Sequence, residues 1–400
     1  MIASVPQSGI LFVSTFPPVK CGIASFTSDL VNAITAETKR QFPISICSLD
    51  KKDDVGFYDS PVKKIMDGHQ LDSCIETAGI INNDPSIHLI CIEHEFGLYG
   101  GHLGEYLLAV MALISKPFIV RFHTVLPAAD PKRIKIVQSI ALLAEKIIVM
   151  TEHSARLLRE DYQVAPDKIC IIPHGTHTNS TISAEELKSK YNLANKLVLT
   201  TFGLLSPNKG IEKGIIAMKE ISLKFPEAIY VVLGNTHPNL LKQEGEKYRN
   251  FLQQLIDDND LQNNVRLINE YAPTAKLMEY LALTDIYLFT SKDPYQAVSG
   301  TFLYAMSAGC AIISNSFVLA NEMLDEKTGV ILEPGKDHQL AENAISLLQN
   351  EALRKQMGHN AFLKTRETAW KKVAGAQMNL ISEILRKPVF PVKLSPQLIG

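Results

Sequence analysis

Short apolar, β-branched runs alternate with helix-period segments along this chain, and the alternation starts twice. In the first half the runs are Ile10 to Ser14, Ile44 to Ser48, Ile87 to Ile92, Pro117 to Phe122 and Lys146 to Met150. Amphipathic stretches such as Ser25 to Thr35 and Gly104 to Ile114 lie between them. A run that is apolar on both faces reads as a parallel-sheet strand, because helices cover both of its sides. The alternation therefore predicts βαβ units and a doubly wound α/β sheet. Cys170-Ile171-Ile172-Pro173 reads as the last strand of this half. The polar stretch His174 to Asn195, with a capping signal at Ser183-Ala184-Glu185-Glu186, reads as the linker. The pattern then restarts with strands expected at Leu197 to Phe202, Ala228 to Leu233, Val265 to Ile268, Ile286 to Thr290 and Ala311 to Ser314. Gly210 to Phe225, Glu246 to Asp257 and Thr274 to Leu283 fit the helices between, so the second half is another Rossmann-like sheet. Helical periodicity resumes over His338 to Asn350 and Leu353 to Leu385, and Lys387 to Gly400, with three prolines, reads as extended coil.

At 400 residues the chain exceeds what one core supports, which agrees with two domains. The net charge of -2 argues against a nucleic-acid binder that works by bulk positive charge. The six cysteines form no CxxC pair and no zinc spacing, which fits small buried hydrophobes in a reducing compartment. The opening segment lacks a signal-peptide pattern, and no stretch approaches the ~20 apolar residues of a membrane span. A cytoplasmic protein is expected, with peripheral membrane contact and oligomeric state left open.

In an open α/β sheet, ligands bind beyond the carboxyl ends of the strands, so the loops there carry the weight. Pro17 to Ser25 joins a strand to a helix. Its Gly22 lets backbone approach a ligand, and the helix start offers free N–H groups to a phosphate. The same residues also suit an ordinary Pro/Gly turn. Glu93-His94-Glu95-Phe96-Gly97 and the glycines that follow suit sugar hydroxyls, which take carboxylate acceptors and close backbone. Too few ligands gather there for a metal site to be expected. Arg121-Phe122-His123-Thr124 places an imidazole at a strand end, where it serves either a ligand or the structure. Phe202 to Glu212 sets Lys209 beside Gly210 at a helix start, chemistry for a diphosphate, although the GxxxxGK[ST] pattern is absent. Ser299-Gly300-Thr301 opens an apolar helix that ends at Gly309, again an anion-binding arrangement or simply a capped core helix.

Over nearly its whole length the chain resembles glycosyltransferase family 4, the retaining group on the GT-B fold. The likeness rests on the Pro-Pro and Gly22 loop, Ile172-Pro173-His174-Gly175, Lys209-Gly210, the Gln296 to Gly309 segment, Thr328-Gly329-Val330 with Glu322, and Trp370 before a last helix. The loops Glu93 to Gly97 and His123-Thr124-Val125-Leu126-Pro127 are similar to those of one subgroup. The resemblance implies an α/β GT-B fold: two Rossmann-like domains facing a central cleft, with a C-terminal helix crossing back to the first. The expected boundaries are 1–180 for an acceptor domain, 181–368 for a donor domain and 369–400 for the crossover helix and tail. It implies a retaining, metal-independent hexosyltransferase with no cofactor, acting on a nucleotide-sugar donor and a saccharide or other hydroxyl acceptor. Lys209 and the amides of Ser299, Gly300 and Thr301 would stabilise the diphosphate. His123 would hold the donor sugar, with Glu95 also in the catalytic set. Gly22, Gln296, Tyr304 and Tyr271, the last within the base-contacting stretch Asn269 to Lys276, would touch the donor. Glu95, Phe96, Gly97 and His123 would line the acceptor side. The chain departs from the family where Gln296 and Tyr304 replace two glutamates eight residues apart, and where Leu204 replaces an arginine. A GT-B phosphorylase, a sugar-nucleotide epimerase and a non-catalytic nucleotide-sugar-binding subunit are the alternatives.

Overall fold

The computed structural model describes residues 8–50, 58–177 and 182–386. The chain forms two compact units. One is drawn from the residues up to Gly175 and again from Trp370 onward, the other from Thr176 to Ala369. The domain boundary expected at 180/181 and the coil expected from Lys387 lie outside the described residues.

The first unit contains β1 (Gly9–Ser14), α1 (Gly22–Glu37), β2 (Ile44–Leu49), β3 (Val62–Met66), α2 (Leu71–Asn83), β4 (Ile87–His94), α3 (Tyr106–Leu113), β5 (Phe118–Phe122), α4 (Pro131–Leu143), β6 (Lys146–Val149), α5 (Glu152–Glu160) and β7 (Ile169–Ile171). All seven strands are parallel, in the order β3-β2-β1-β4-β5-β6-β7. The central strands are buried on both faces, as their apolar runs require. The edge strand β3 escapes that reading because it carries Lys63 and Lys64, the kind of charge that blunts a free edge. Helix α1 starts three residues ahead of the expected Ser25. The Cys21 thiol caps it by accepting the Ala24 N–H, and Ala24, Phe26, Thr27, Leu30, Val31 and Ile34 form its buried stripe.

The second unit contains α6 (Ala184–Lys190), β8 (Leu197–Phe202), α7 (Ile211–Lys224), β9 (Ala228–Leu233), α8 (Pro238–Glu244), α9 (Lys247–Asp257), β10 (Val265–Ile268), α10 (Thr274–Ala282), β11 (Ile286–Phe289), α11 (Gly300–Ser307), β12 (Ala311–Asn315), α12 (Val318–Met323), β13 (Val330–Leu332), α13 (Gln339–Gln349) and α14 (Glu351–Thr365). Its six parallel strands run β10-β9-β8-β11-β12-β13. Alternate residues feed two cores, one on each face: Leu199, Tyr230, Val232, Leu288 and Ile313 on one, Val198, Ile229, Val231, Tyr287 and Ile312 on the other. Ser183 starts α6 with a full capping box to Glu186.

The helical stretch expected from Leu353 to Leu385 is two helices. α14 ends at Thr365, and α15 (Trp370–Leu385) follows after a 3-10 turn at Arg366–Thr368 and an extended Ala369. The interruption is tertiary: the Thr176 N–H donates to the Thr368 carbonyl at 2.8 Å, and the two hydroxyls meet at 3.1 Å. α15 then packs on α1, with Trp370 against Phe26 at 5.3 Å. None of the described helices is long and apolar enough to cross a membrane.

Each sheet reverses its strand order once, between β1 and β4 in the first unit and between β8 and β11 in the second. The loops leaving these strands flank the crevices in which open α/β sheets bind ligands.

Candidate active site

In the second unit the loops after β8 and β11 are tied to one another. The Thr290 hydroxyl donates to the Lys209 carbonyl at 2.8 Å, and the Lys292 N–H to the Asn208 carbonyl at 2.8 Å. A Cβ on Gly203 would lie 3.4 Å from the Thr301 methyl, which brings the start of α11 against the end of β8. Gly210 has φ of +61°, and a Cβ there would stand 2.3 Å from the Thr290 carbonyl oxygen. Only glycine fits, and that fit sets where Lys209 stands.

Lys209 sits in a 3-10 turn, Pro207–Lys209, ahead of α7. Burial pushes its ammonium below the usual lysine range, and no carboxylate pairs with it among the described residues. Lys292, by contrast, is neutralised by Glu212 at 2.6 Å. A desolvated cation without a counter-charge is what an anionic ligand would complete. His237 stands near enough to feel that charge. Burial first, and then Lys209, hold its imidazole below its ordinary range.

Ser299 caps α11 by accepting from the Phe302 N–H, and its hydroxyl lies 3.2 Å from that of Thr301. Gln296 is turned into its own loop: its amide accepts from Ser291 at 3.3 Å and donates to the Val298 carbonyl at 3.0 Å. Tyr304 is buried, with its ring edge-on to His177 at 4.8 Å. Leu204 and Tyr271 are partly buried.

In the first unit Gly22 opens α1, and a Cβ there would meet nothing within 4 Å; the same holds for Gly97. Glu93 and His94 are the last two residues of β4 rather than loop residues, and Arg121 and Phe122 end β5. Pairing of these strands sets Glu93 opposite Arg121. The buried Glu93 carboxylate takes His123 Nε2 at 2.7 Å through Oε2, while Oε1 is 3.5 Å from Arg121 Nε. The guanidinium also donates to Gln377 Oε1 on α15 at 2.6 Å and lies 5.1 Å from the Phe26 ring. Phe26 meets His123, His174 and Trp370 in turn. Glu95 makes no contact of this kind: it accepts from the Phe96 N–H at 3.0 Å and from the Thr124 hydroxyl.

Strand pairing thus brings Glu93 to His123, a partnership between residues thirty positions apart that no local motif announces. His94 is sealed among Phe96, Tyr99 and Phe122, and neither of its ring nitrogens has a hydrogen-bond partner among the described residues. Burial drives its pKa down to about 3, with the nearby His123 adding to the effect, so this ring is neutral. Among the described residues no three His, Cys, Asp or Glu side chains gather as a metal-binding group.

Two family models match the chain: "Glycosyltransferase Family 4" over residues 93–180 and "Glycosyl transferases group 1" over residues 183–364. Two uncharacterized glycosyltransferases of Methanocaldococcus jannaschii are each 26% identical, over 43% and 57% of this chain and 39% and 56% of their own length. The chain therefore spans about half the length of these curated relatives, or less. Among solved structures, sucrose-phosphate synthase of Thermosynechococcus elongatus has a TM-score of 0.76 at 16% identity, covering 94% of this chain and 99% of that one. HepE of Anabaena, in complex with UDP and glucose, has a TM-score of 0.71 at 15% identity, covering 94% and 100%. These likenesses give the fold, GT-B, and with the family matches they place the chain among the group 1, family 4-like glycosyltransferases.

Proposed function

We propose that this protein transfers a hexosyl group from a nucleotide-sugar donor to a saccharide or other hydroxyl acceptor, with retention at the anomeric carbon and without a metal. The observation that carries the reading is Lys209: a desolvated ammonium that no carboxylate pairs with among the described residues, on a glycine-shaped turn whose carbonyl is held by the Thr290 hydroxyl. A departing nucleoside diphosphate gains negative charge as the glycosidic bond breaks. A fixed cation and free helix-start amides of Ser299, Gly300 and Thr301 would stabilise that charge without reorganising. His123 in the first unit would hold a sugar hydroxyl, and the open backbone at Gly22 and Gly97 would let substrate approach closely. The HepE complex carries UDP and glucose, which makes UDP-glucose the first donor to try.

The test is a thermal-shift and calorimetric panel of UDP, GDP and ADP with their common sugar conjugates, with and without EDTA. One nucleotide should stabilise the protein in an EDTA-insensitive way. Lys209→Ala should lower kcat/KM at least a hundredfold, about 3 kcal/mol of transition-state stabilisation. Near-normal turnover of that variant would sink the assignment. A second reading, a nucleotide-sugar-binding subunit without transfer, is favoured by the inward-turned Gln296 and buried Tyr304. Tight donor binding with neither hydrolysis nor transfer would select it.

A further inference from the structure

We infer that Glu93 is a positioning residue: it fixes the ring of His123 and dictates that Nδ1 is the nitrogen offered to substrate. The inference rests on the reading of His123 as a sugar-holding residue, but its structural half stands apart from that reading. A carboxylate accepts and does not donate, so a 2.7 Å contact requires the proton on His123 Nε2. Glu93 is in turn held, with Oε1 at 3.5 Å from Arg121 Nε and the guanidinium anchored on Gln377 at 2.6 Å and on the Ile172 carbonyl at 3.4 Å. Phe26 packs edge-on against the imidazole at 5.1 Å, which removes the remaining rotational freedom. Nδ1 has no protein partner among the described residues and, unlike both nitrogens of His94, is not sealed from solvent. In the neutral ring it is a lone-pair acceptor. His123 would therefore take a hydrogen bond from a sugar hydroxyl rather than give one, until it gains a second proton. The other nearby imidazoles do not compete: His94 is neutral in its aromatic box, and His174 is buried with Nδ1 on the Gly175 carbonyl at 2.8 Å.

The experiment is side-chain nitrogen NMR of the full chain, with His123 assigned by loss of its signals in His123→Gln. The wild type should show a slowly exchanging proton on Nε2 of His123. In the isosteric Glu93→Gln, which offers only a neutral acceptor, that proton should exchange at least tenfold faster. A proton on Nδ1 in the wild type, or an unchanged exchange rate in Glu93→Gln, overturns the inference. The wild-type result decides the point even if the variant does not fold. With a donor identified, Glu93→Gln should lower kcat tenfold or more with KM within twofold, and Glu93→Asp should recover part of the loss. An unchanged kcat in Glu93→Gln would remove the positioning role. Absence of any transfer by the wild type would instead count against the proposed function and leave the NMR result standing.

Discussion

His94 and His174 are buried as neutral rings, at about 3 and about 4, with burial as the leading cause in both. Once unfolded, each would protonate near 6.5. Below that pH the unfolded chain binds protons that the folded chain refuses, so stability falls as the pH drops from 6.5 toward the folded values and is fully kept above it. By pH 5 the loss is about 2 kcal/mol for each ring. Denaturant unfolding across pH 4.5 to 7.5 would show it, and His94→Phe should flatten the slope by about one proton. Gly210→Ala would set a methyl against the Thr290 carbonyl in a left-handed backbone, and should cost about 2 kcal/mol or more, read from a denaturation midpoint; under the proposed function it should weaken nucleotide binding as well. Much of this site is legible from residue order alone. The turn that carries Lys209 is legible because Gly210 beside it marks a left-handed position just ahead of a helix. The Glu93 to His123 pairing is not legible, because it depends on the register between β4 and β5. The turning-in of Gln296 depends on its loop partners Ser291 and Val298.

The strands of the second unit are the most readable elements. β8, β9 and β10 fall where the apolar runs Leu197 to Phe202, Ala228 to Leu233 and Val265 to Ile268 put them. β8 and β9 are almost wholly buried, so their apolar and β-branched runs stand out against the polar segments on either side. The short edge strand β13, with three residues, gives too little pattern to read, and β3 is hidden by its lysines. The stop after α14 is unreadable for a different reason. The period of the sequence continues, and only hydrogen bonds from Thr176 interrupt the helix. Capping is local and therefore legible: Ser183 and Glu186 satisfy each other's backbone as their spacing predicts. Ser183→Ala should lower stability by about 1 kcal/mol, seen as a shifted denaturation midpoint with an unchanged m-value.

The first unit is completed by α15, which buries Trp370, Val373, Ala374, Met378 and Ile381 and supplies Gln377 to Arg121. The second unit needs nothing from outside 176–369 to build its sheet. Residues 176–369 expressed alone should therefore unfold cooperatively. A chain ending at Ala369 should keep that transition and lose the one belonging to the first unit, which scanning calorimetry would resolve. Gly175→Ala probes the same seam, since its Cβ would land 2.0 Å from the Trp370 ring. Trp370→Ala should relieve that clash and leave the double variant no worse than Trp370→Ala alone. The order in which a ribosome delivers the chain then matters. Strands β1 to β7 emerge first but wait, with Phe26 and the Arg121 charge uncovered, until residues 370–385 follow. The inner unit can close before its host does, so during synthesis the half-built first unit is where chaperones would find exposed surface to hold.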